Sequence, residues 1–336
     1  MASISERFQS YLKKTHLISP GESVWVACSG GSDSVALFHL LMGLRKAWKL
    51  RLGLLHFNHG LRGAASDSDQ KFVRRLAEKS KVHFLTDKPK TSLKRLKKSI
   101  EESAREARYE FFVKAAAKKK IDKIALAHHA NDQAETVLMR ILQGTGSRGL
   151  LGIRQNIKIR QASFVRPLLL FTKAEIKSYL KQNGIKFRTD RSNDSPKFLR
   201  NKIRRELLPW LEKRIDPNVV GALARLPSIF SEEEEWFNEL EASCWGKAFK
   251  IRKKQTVHLY RKRFSRCPKP IQFRILDKAL KLLDSASGMN FEAWERIRPQ
   301  MDKPKTRVSL PRDLEMELTP SVIKLQPSLS RRGLHS

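Results

Sequence analysis

The sequence predicts an α/β protein in which a doubly wound parallel sheet is followed by a helical region and a small, basic α+β module. Three observations support this fold class. Short apolar runs alternate with segments of helical period over residues 24–143, polar clusters follow three of those runs, and a hydrophobic content of 40% in 336 residues is enough to fill a core. Strands that alternate with helices predict a parallel sheet between two helical layers.

The strands and helices of this sheet are predicted in regular alternation. The first strand is "VWVAC" (24–28), an apolar run after the turn residues "SPGES", and the first helix is "SVALFHLLMGLRKAW" (34–48), whose apolar residues recur at helical spacing. The later strands are predicted in "KLRLGLLHFN", "VHFLT" and "KIALAHH", and the later helices in "DSDQKFVRRLAEKS", "EESAREARYEFFVKAAAKKK" and "DQAETVLMRILQ".

The composition changes twice beyond the predicted sheet. After residue 152 the alternation weakens into a basic, irregular region, and we place the first boundary near Asp216, so that the first domain comprises residues 1–215. Residues 216–245 include the acidic run "SEEEEWFNELEA" and are predicted to be helical. Residues 246–336 are predicted to form the C-terminal module with a flexible tail; its first part, Lys247 to Arg266, has nine basic residues and no acidic ones.

Basic residues outnumber acidic ones two to one. The chain has 68 Lys and Arg against 34 Asp and Glu, which gives a formal charge of +34. A field of this sign attracts polyanions, so nucleic acid is the leading partner class, and no obligate protein partner is evident. The basic segments that we expect to contact RNA phosphates are "KPKTSLKRLKKS", "KFLRNKIRR" and "KAFKIRKKQTVHLYRKRFSR".

The cysteines and the lack of long apolar stretches predict a cytoplasmic location. Cys28, Cys244 and Cys267 lie far apart in sequence, which excludes a CxxC motif, zinc-ligand spacing and a disulfide framework. No run of about 18 uncharged apolar residues occurs, and the N-terminus lacks an apolar signal core. We therefore expect neither export nor membrane insertion, and we expect Cys28 to be a small apolar filler rather than a nucleophile.

The polar loop "SGGSDS" (29–34) lies between the first strand and the first helix. Gly30 and Gly31 let the backbone approach an anion closely, and the helix N-terminus and the hydroxyls of Ser29, Ser32 and Ser34 add donors. Asp33 would repel phosphate unless a divalent cation lay between them, which predicts a Mg²⁺ ligand. No G-x-x-x-x-G-K-[ST] sequence occurs, so this is not the usual P-loop.

Polar clusters also end the second and last predicted strands, in "HFNHGLRG" (56–63) and "AHHANDQAET" (127–136). Ligands of such sheets bind beyond the carboxyl ends of the strands, so we expect these clusters to meet the first loop in one crevice. Asp132 and Glu135 share a helix face and are candidate Mg²⁺ ligands with Asp33. The alternative is that these two acids only offset the helix dipole.

The same segments carry a resemblance to a known family. The "SGGSDS" loop is similar to the pyrophosphate-binding loop of the PP-loop ATP pyrophosphatase group, and "HFNHGLRG", "AREARYEFF", "AHHANDQAETVLMRILQGTGSRGLLG", "RPLL" and "DRSNDSPKFLRNKIRRELLP" resemble the tRNA(Ile)-lysidine synthetase family. This resemblance implies a ligase that uses ATP and Mg²⁺ to join free L-lysine to C2 of the wobble cytidine in the CAU anticodon of tRNA(Ile). The expected route is an adenylated cytidine, with AMP and diphosphate as products. The helical region 216–245 would then bind tRNA.

The resemblance also implies residue roles. Catalysis is expected of Asp33, Asp132, Glu135 and Arg108, and substrate binding of Arg200, Asn201 and Arg204. Contacts with ATP are expected of Ser29, Gly30, Gly31, Ser32, Asp33, Ser34, His59, Gly60, Arg105 and His129. One departure is Asn131, where the family commonly has aspartate, which leaves open any role that needs a carboxylate there. For Arg105 and Arg108, a solvated basic face paired with Glu101 and Glu106 is the alternative.

Two other functions remain open from the sequence. A tRNA cytidine 2-thiolation enzyme of the same loop group is one, although such chemistry usually needs paired cysteines, and the three cysteines of this chain supply no pair in sequence. A non-catalytic RNA-binding protein that keeps a degenerate nucleotide fold is the other. The intact loop and the acids at 132 and 135 favour an enzyme.

Overall fold

The computed structural model describes residues 3–60, 63–89, 100–188, 199–253, 256–284 and 288–328, without the side chains of residues 100, 101, 252 and 253. The chain divides into two compact units, Met1–Phe230 and Ser231–Ser336. The predicted three-part division, with boundaries after residues 215 and 245, stays a prediction.

The first unit contains a six-stranded sheet and its covering helices. Its strands are β1 (Ser23–Ala27), β2 (Arg51–Phe57), β3 (His83–Asp87), β4 (Lys123–Ala125), β5 (Asn156–Ile159) and β6 (Ala162–Val165). Its helices are α1 (Ile4–Thr15), α2 (Ser32–Leu44), α3 (Ala64–Lys79), α4 (Ile100–Lys119), α5 (Ala130–Leu142), α6 (Ser147–Leu150), α7 (Lys173–Gln182), α8 (Leu199–Lys202) and α9 (Leu208–Arg214), and a π-helical turn at Ile203–Leu207 joins the last two. Helix α10 (Val219–Ala248) begins in this unit and ends in the second.

The strand order of the sheet is β3-β2-β1-β4-β6-β5. Strands β1, β2, β3, β4 and β6 run parallel, which confirms the predicted doubly wound sheet, and β5 is an antiparallel edge strand beside β6. The order reverses between β1 and β4, because β1 leads outward to β2 and β4 lies on its other side. Loops that follow these two strands therefore border the crevice in which doubly wound sheets bind ligands.

Both faces of the sheet are covered. Val24 and Val26 of β1 pack into a core with α1, α2 and α7, whereas Trp25 between them points into a second core with α4. This alternation is the two-residue period of a strand buried on both sides. A third, smaller cluster packs the start of α5 against Ile203, Leu208 and the first turns of α10.

The second unit is an α+β module, as predicted. Its antiparallel sheet has the order β7-β8-β11-β10-β9. The strands are β7 (Phe249–Lys253), β8 (Thr256–Tyr260), β9 (Thr306–Leu310), β10 (Leu314–Leu318) and β11 (Val322–Pro327), and the helices are α11 (Arg261–Ser265), α12 (Lys269–Leu283) and α13 (Phe291–Ile297), followed by a 3₁₀ turn at Arg298–Gln300. Its core includes Phe264, Ile275 and Met316.

In the first unit the structure adds to the predicted elements the helix α1, the strands β5 and β6, and the helices α6, α7, α8 and α9. The β5–β6 hairpin lies in the region predicted to be irregular, and its turn places Arg160 at φ 52°, a left-handed conformation that no glycine or asparagine marks in the sequence. None of the described helices is long and apolar enough to span a membrane.

Candidate active site

The loop between β1 and α2 is a backbone cradle that glycine makes possible. Gly30 takes φ 91°, a conformation that residues with a Cβ avoid. A Cβ at Gly30 would also lie 3.3 Å from Phe72 Cδ1, which is closer than an ordinary contact. Arg188 donates its backbone N–H to Gly30 O at 2.9 Å, so the segment before residue 189 holds the loop from outside.

The serines hold the shape of this loop. Ser34 Oγ accepts the backbone N–H of Ser29 at 3.2 Å and donates to Gly31 O at 3.1 Å, and Ser29 Oγ accepts the N–H of Gly31 at 3.3 Å. Helix α2 begins with Gly31 as its N-cap and without a side-chain cap. Its first N–H groups therefore have no side-chain cap and lie at the positive end of the helix dipole, which is the arrangement that a phosphate cradle needs; the phosphate-binding role itself stays a prediction.

Behind the loop lies a buried, uncharged layer. His56 Nδ1 donates to Cys28 O at 2.9 Å, and burial lowers the pKa of His56, so the ring is neutral at pH 7. Burial raises the pKa of the Cys28 thiol. The thiol therefore stays protonated, in keeping with the filler role expected of it.

Asp33 is paired with a lysine that the sequence analysis missed. Lys173, the first residue of α7, donates from Nζ to Asp33 Oδ1 and to Ser32 Oγ, the latter at 2.9 Å. Lys173 and Asp33 are 140 positions apart in sequence. Thr172 and Glu175 form a capping box at the start of α7, and this T-x-x-E pattern in the sequence would have placed Lys173 at a helix N-terminus.

Asn131 has a structural contact in this chain. Its Oδ1 accepts the backbone N–H of Lys173 at 2.9 Å, which ties the start of α5 to the start of α7. The residue that departs from the family pattern therefore positions the lysine that pairs with Asp33.

The start of α5 brings His129 and Asp132 to Asp33. His129 and Asp132 cap the helix reciprocally, because His129 N–H donates to Asp132 Oδ2 at 3.1 Å and Asp132 N–H donates to His129 Nδ1 at 3.4 Å. The other ring nitrogen of His129, Nε2, lies 3.7 Å from Asp33 Oδ2 and 3.5 Å from Asp132 Oδ2. The loop after β1 and the junction between β4 and α5 thus meet, as the sequence predicted for these two of the three polar clusters.

Glu135 lies one turn further along α5 and is bound by two arginines. Arg200 Nε donates to Glu135 Oε2 at 2.9 Å, and Arg204 donates to Oε1 at 2.5 Å and to Oε2 at 2.9 Å. Arg204 also donates to Asp132 Oδ1 at 3.0 Å. Burial alone would lower the pKa of Arg204, but its bonds to Glu135 and Asp132 raise that pKa overall. For Asp132 the balance is the reverse: burial alone would raise its pKa, but His129, His128 and Arg200 lower it overall.

His128 connects this cluster to Arg166. Arg166 Nε donates to His128 Nδ1 at 3.3 Å, and Arg166 also donates to Arg154 O at 2.7 Å. Burial lowers the pKa of His128 to about 4; Asp132 opposes this shift, whereas Arg166, Arg200 and Arg108 add to it. His128 is therefore neutral at pH 7, and Arg108 lies on the same side of the crevice.

The other predicted residues have local contacts of their own. The guanidinium groups of Arg105 and Arg108 lie 5.3 and 5.9 Å from the centre of the Tyr109 ring. The ring centres of His59 and Phe57 lie 4.9 Å apart in an edge-to-face arrangement. Gly60, at φ 67°, donates its N–H to Asn58 Oδ1 at 3.0 Å. Asn201 lies between Arg200 and Arg204 in sequence on α8. Leu61, Arg62, Asp190, Asn193 and the basic run 90–99 lie outside the described residues.

The predicted Mg²⁺ ligands fit the metal unequally. Within the residues that the structure describes, no three His, Cys, Asp or Glu side chains form a cluster set for a metal. Asp33 and Asp132 both face His129 Nε2, and one or two carboxylates with substrate phosphates are the usual protein contribution to Mg²⁺. Glu135 directs both of its oxygens to arginines. Its predicted metal role stays a prediction.

Comparisons with known proteins agree on one fold family. A family model described as the PP-loop domain matches residues 2–211. The chain is similar to the tRNA(Ile)-lysidine synthase of Geobacter sulfurreducens, with 34% identity over 93% of this chain and 66% of the relative. It is also similar to that of Symbiobacterium thermophilum, with 40% identity over 70% of this chain and 49% of the relative. The chain thus spans about half to two thirds of the length of these curated relatives.

A solved structure shares the fold at lower identity. The U34-tRNA thiolase NcsA from Methanococcus maripaludis, solved with its 4Fe–4S cluster, is 19% identical to this chain. The match covers 68% of this chain and 79% of the thiolase, with a TM-score of 0.57. At this identity the similarity concerns the fold alone.

Proposed function

Because the chain belongs to the PP-loop domain family, we propose that it is an ATP-dependent ligase that joins free L-lysine to C2 of the wobble cytidine in the CAU anticodon of tRNA(Ile). The product would be lysidine, with AMP and diphosphate released, and the modified tRNA would read a different codon. The proposal also places the enzyme in the cytoplasm with its tRNA. The similarity to named tRNA(Ile)-lysidine synthases and the charge of +34 support it.

The observation that carries the proposal is the pair of charge clusters at the β1/β4 switch point. One cluster is the glycine cradle with Lys173 and Asp33, and the other is Glu135 with Arg200 and Arg204. The first suits the phosphates of ATP and the second suits the carboxylate of an amino acid. Their meeting at the start of α5 suits a reaction that needs both substrates.

The first step is adenylation of the RNA base. The O2 oxygen of cytosine attacks the α-phosphorus of ATP, and the bond between the α- and β-phosphates breaks. The N–H groups of the loop and the Lys173 ammonium would stabilise the charge that develops on the departing diphosphate. Asp33 and Asp132 would hold Mg²⁺, which when bound supplies further neutralisation at the phosphates.

The second step replaces AMP by lysine. The deprotonated ε-amine attacks C2 of the adenylated base, and the former O2 oxygen leaves with AMP. Arg200 and Arg204 would bind the lysine carboxylate, since guanidinium and carboxylate groups pair in bidentate fashion. Glu135 would fix the planes of both arginines, because its two oxygens accept hydrogen bonds from them.

A 2-thiolation enzyme is the second candidate, and the fold that the chain shares with a thiolase is what favours it. The cysteines do not support it. Cys28 is buried behind the loop. Cys244 and Cys267, far apart in sequence, are hydrogen-bonded neighbours in the structure, but both are buried in the core of the second unit. A cluster held by three or four thiolates needs cysteines that converge on one site. No such set is present among the three cysteines of the chain, which are all described.

Diphosphate release and the mass of the RNA product test the proposal. We expect repeated turnovers of diphosphate release to require both the isoleucine tRNA and lysine, because tRNA without lysine supports only the single adenylation step, and we expect the RNA product to gain the mass of lysine less water. Asp33→Asn should abolish release while leaving tRNA binding, measured over a salt series, largely unchanged. Release with neither substrate present, or none under any condition, would contradict the ligase proposal; equal loss of tRNA affinity in the variant would place Asp33 at the RNA surface.

A further inference from the structure

An apolar groove beside the arginine cluster has no part in the reaction proposed above. Its walls are Leu142 at the end of α5, Leu199 on α8 and Trp210 on α9. Lys202 and Glu206 also line it. Its volume is about 350 Å³. This size falls within the range of sites that bind small organic groups, roughly 300–1,000 Å³.

The large side chains of this groove are exposed together. Trp210 is 53% exposed, Leu142 is 59% exposed and Leu199 is 42% exposed. Isolated exposed apolar residues are ordinary, but several around one concavity mark a binding surface. A tryptophan with half of its surface in solvent contributes little to the core, so its value to the protein lies in what it contacts outside.

The groove and the arginine cluster are two faces of one helical segment. Leu199, Ile203 and Trp210 are spaced by four and seven residues and lie on one face, whereas Arg200 and Arg204 reach Glu135 from the adjacent face. A helix with its side chains is about 10–12 Å across. The groove therefore lies within about one helix width of the proposed binding site for lysine and the target base.

The charge around the groove favours RNA over protein. Lys202 and Glu206 line the groove itself, and the same helical segment carries Arg200, Arg204 and Arg205 beside it, so residues 200–206 have four basic side chains and one acidic one. An aromatic ring among basic groups is the usual construction of sites for unpaired bases, where the ring stacks on the base and the cations contact the phosphates. One carboxylate at the rim can also accept hydrogen bonds from the amino group of a base.

We propose that this groove binds an unpaired nucleobase next to the base that is modified, stacked on Trp210. The inference rests on the proposed function, since it takes the anticodon loop as the substrate. A target base that leaves its stack to enter the crevice deprives its neighbour of a stacking partner. Trp210 restores that contact on the protein and holds the loop open beside Arg200 and Arg204.

The test measures binding of an anticodon stem-loop RNA by the full chain without ATP or lysine. The proteins are wild type, Trp210→Leu, which keeps apolar volume without an aromatic face, and Trp210→Phe, which keeps the face. Trp236→Leu is the matched control, because Trp236 is also exposed, at 60%, but lies in the second unit. Each loop nucleotide of the RNA is replaced in turn by an abasic one.

We expect Trp210→Leu to weaken binding by about 5- to 100-fold, the usual range for loss of one base–aromatic stack, and Trp210→Phe to stay within about threefold. One abasic position should weaken binding to wild type by a similar factor and should cause no further loss in Trp210→Leu. Quenching of wild-type tryptophan fluorescence by RNA should disappear with the same abasic RNA, a readout that requires no variant.

Other outcomes separate the inference from the function on which it rests. Wild-type RNA affinity in Trp210→Leu overturns the inference, and a change of oligomeric state in that variant at unchanged RNA affinity assigns the groove to a second copy of the chain. Binding that depends on Trp210 without a lysine-bearing product overturns the proposed function and leaves the stacking site standing. Failure of the wild-type protein to bind RNA overturns both.

Discussion

The two units each contain a network of arginines and carboxylates, but the two networks differ in which charge is enclosed. In the second unit Arg274 is only 6% exposed and lies between Glu234 and Glu241, and it also donates to Asn238 Oδ1 at 3.1 Å. In the first unit the carboxylate is enclosed: Glu135 is 2% exposed, whereas the side chains of Arg200 and Arg204 are each 42% exposed.

This difference separates a structural network from one that can exchange partners. An enclosed cation with anions on several sides has no route to a ligand, so its pairing serves the fold. Half-exposed cations on an enclosed anion keep solvent-facing edges, and an anionic substrate can replace water there. The first network therefore suits a binding site.

Removal of the enclosed cation should give the largest effect. Arg274→Met leaves two buried carboxylates without their guanidinium partner, so we expect the free energy of unfolding to fall by about 3–5 kcal/mol. Arg204→Met should cost less than about 2 kcal/mol, because Arg200 remains bonded to Glu135. Chemical denaturation of both variants measures this. Equal losses would mean that both networks are structural.

Lys173→Met should lower activity with little effect on stability. The variant loses the cation that contacts Ser32 and Asp33, so we expect diphosphate release to slow by about 10²- to 10³-fold, the usual loss for one donor to a developing negative charge. Lys177→Met, one turn further along α7 and exposed, is the matched control. Unchanged release in Lys173→Met would restrict Lys173 to holding Asp33 in place.

His128 should make the first network sensitive to acid. The pKa of His128 is lowered to about 4 in the folded protein from 6.5, so between these values the unfolded chain binds more protons and stability falls as the pH falls. We expect protonation of His128 to lower the free energy of unfolding by about 1–3 kcal/mol as the pH falls through that window. His128→Asn keeps an acceptor for Arg166 and should lose less stability between pH 7 and 4.5 in urea titrations. Parallel pH profiles would contradict the neutral, buried state of His128.

The sequence predicts local parts of the site better than contacts between distant segments. The order strand, glycine loop, helix identifies residues 29–34, and the parallel topology brings Asp132 to Asp33 because both follow neighbouring strands of the sheet. The contact of Lys173 with Asp33 depends on how α7 packs over α2, and no spacing in the sequence encodes that packing. The sequence predicts Arg200 and Arg204 as ligands of a substrate, but only the folded structure shows that both donate hydrogen bonds to Glu135.

The hairpin of β5 and β6 shows a second reason why parts of the fold could not be predicted from the sequence. Its strands are four residues each, too short for a clear two-residue period, and its turn uses Arg160 and Gln161 rather than residues that favour a left-handed backbone. Pairing with β4 supplies the stability that local preference does not. Helix α1, which was also not predicted, does have a local signal in the sequence, because Ser3 and Glu6 form a capping box at its start.

Asn131→Asp should have the smallest effect, and it tests how much negative charge the first network tolerates. A carboxylate keeps an acceptor for the backbone N–H of Lys173, and it lies at the N-terminus of α5, where the helix dipole favours it by about 0.3–1 kcal/mol. We therefore expect stability to be unchanged or slightly higher and diphosphate release to stay within about threefold. Asn131→Ala removes the acceptor and should slow release by displacing Lys173. If Asn131→Asp instead accelerates release more than about tenfold, a carboxylate at this position acts in the chemistry itself, and the crevice of this chain is short of one negative charge.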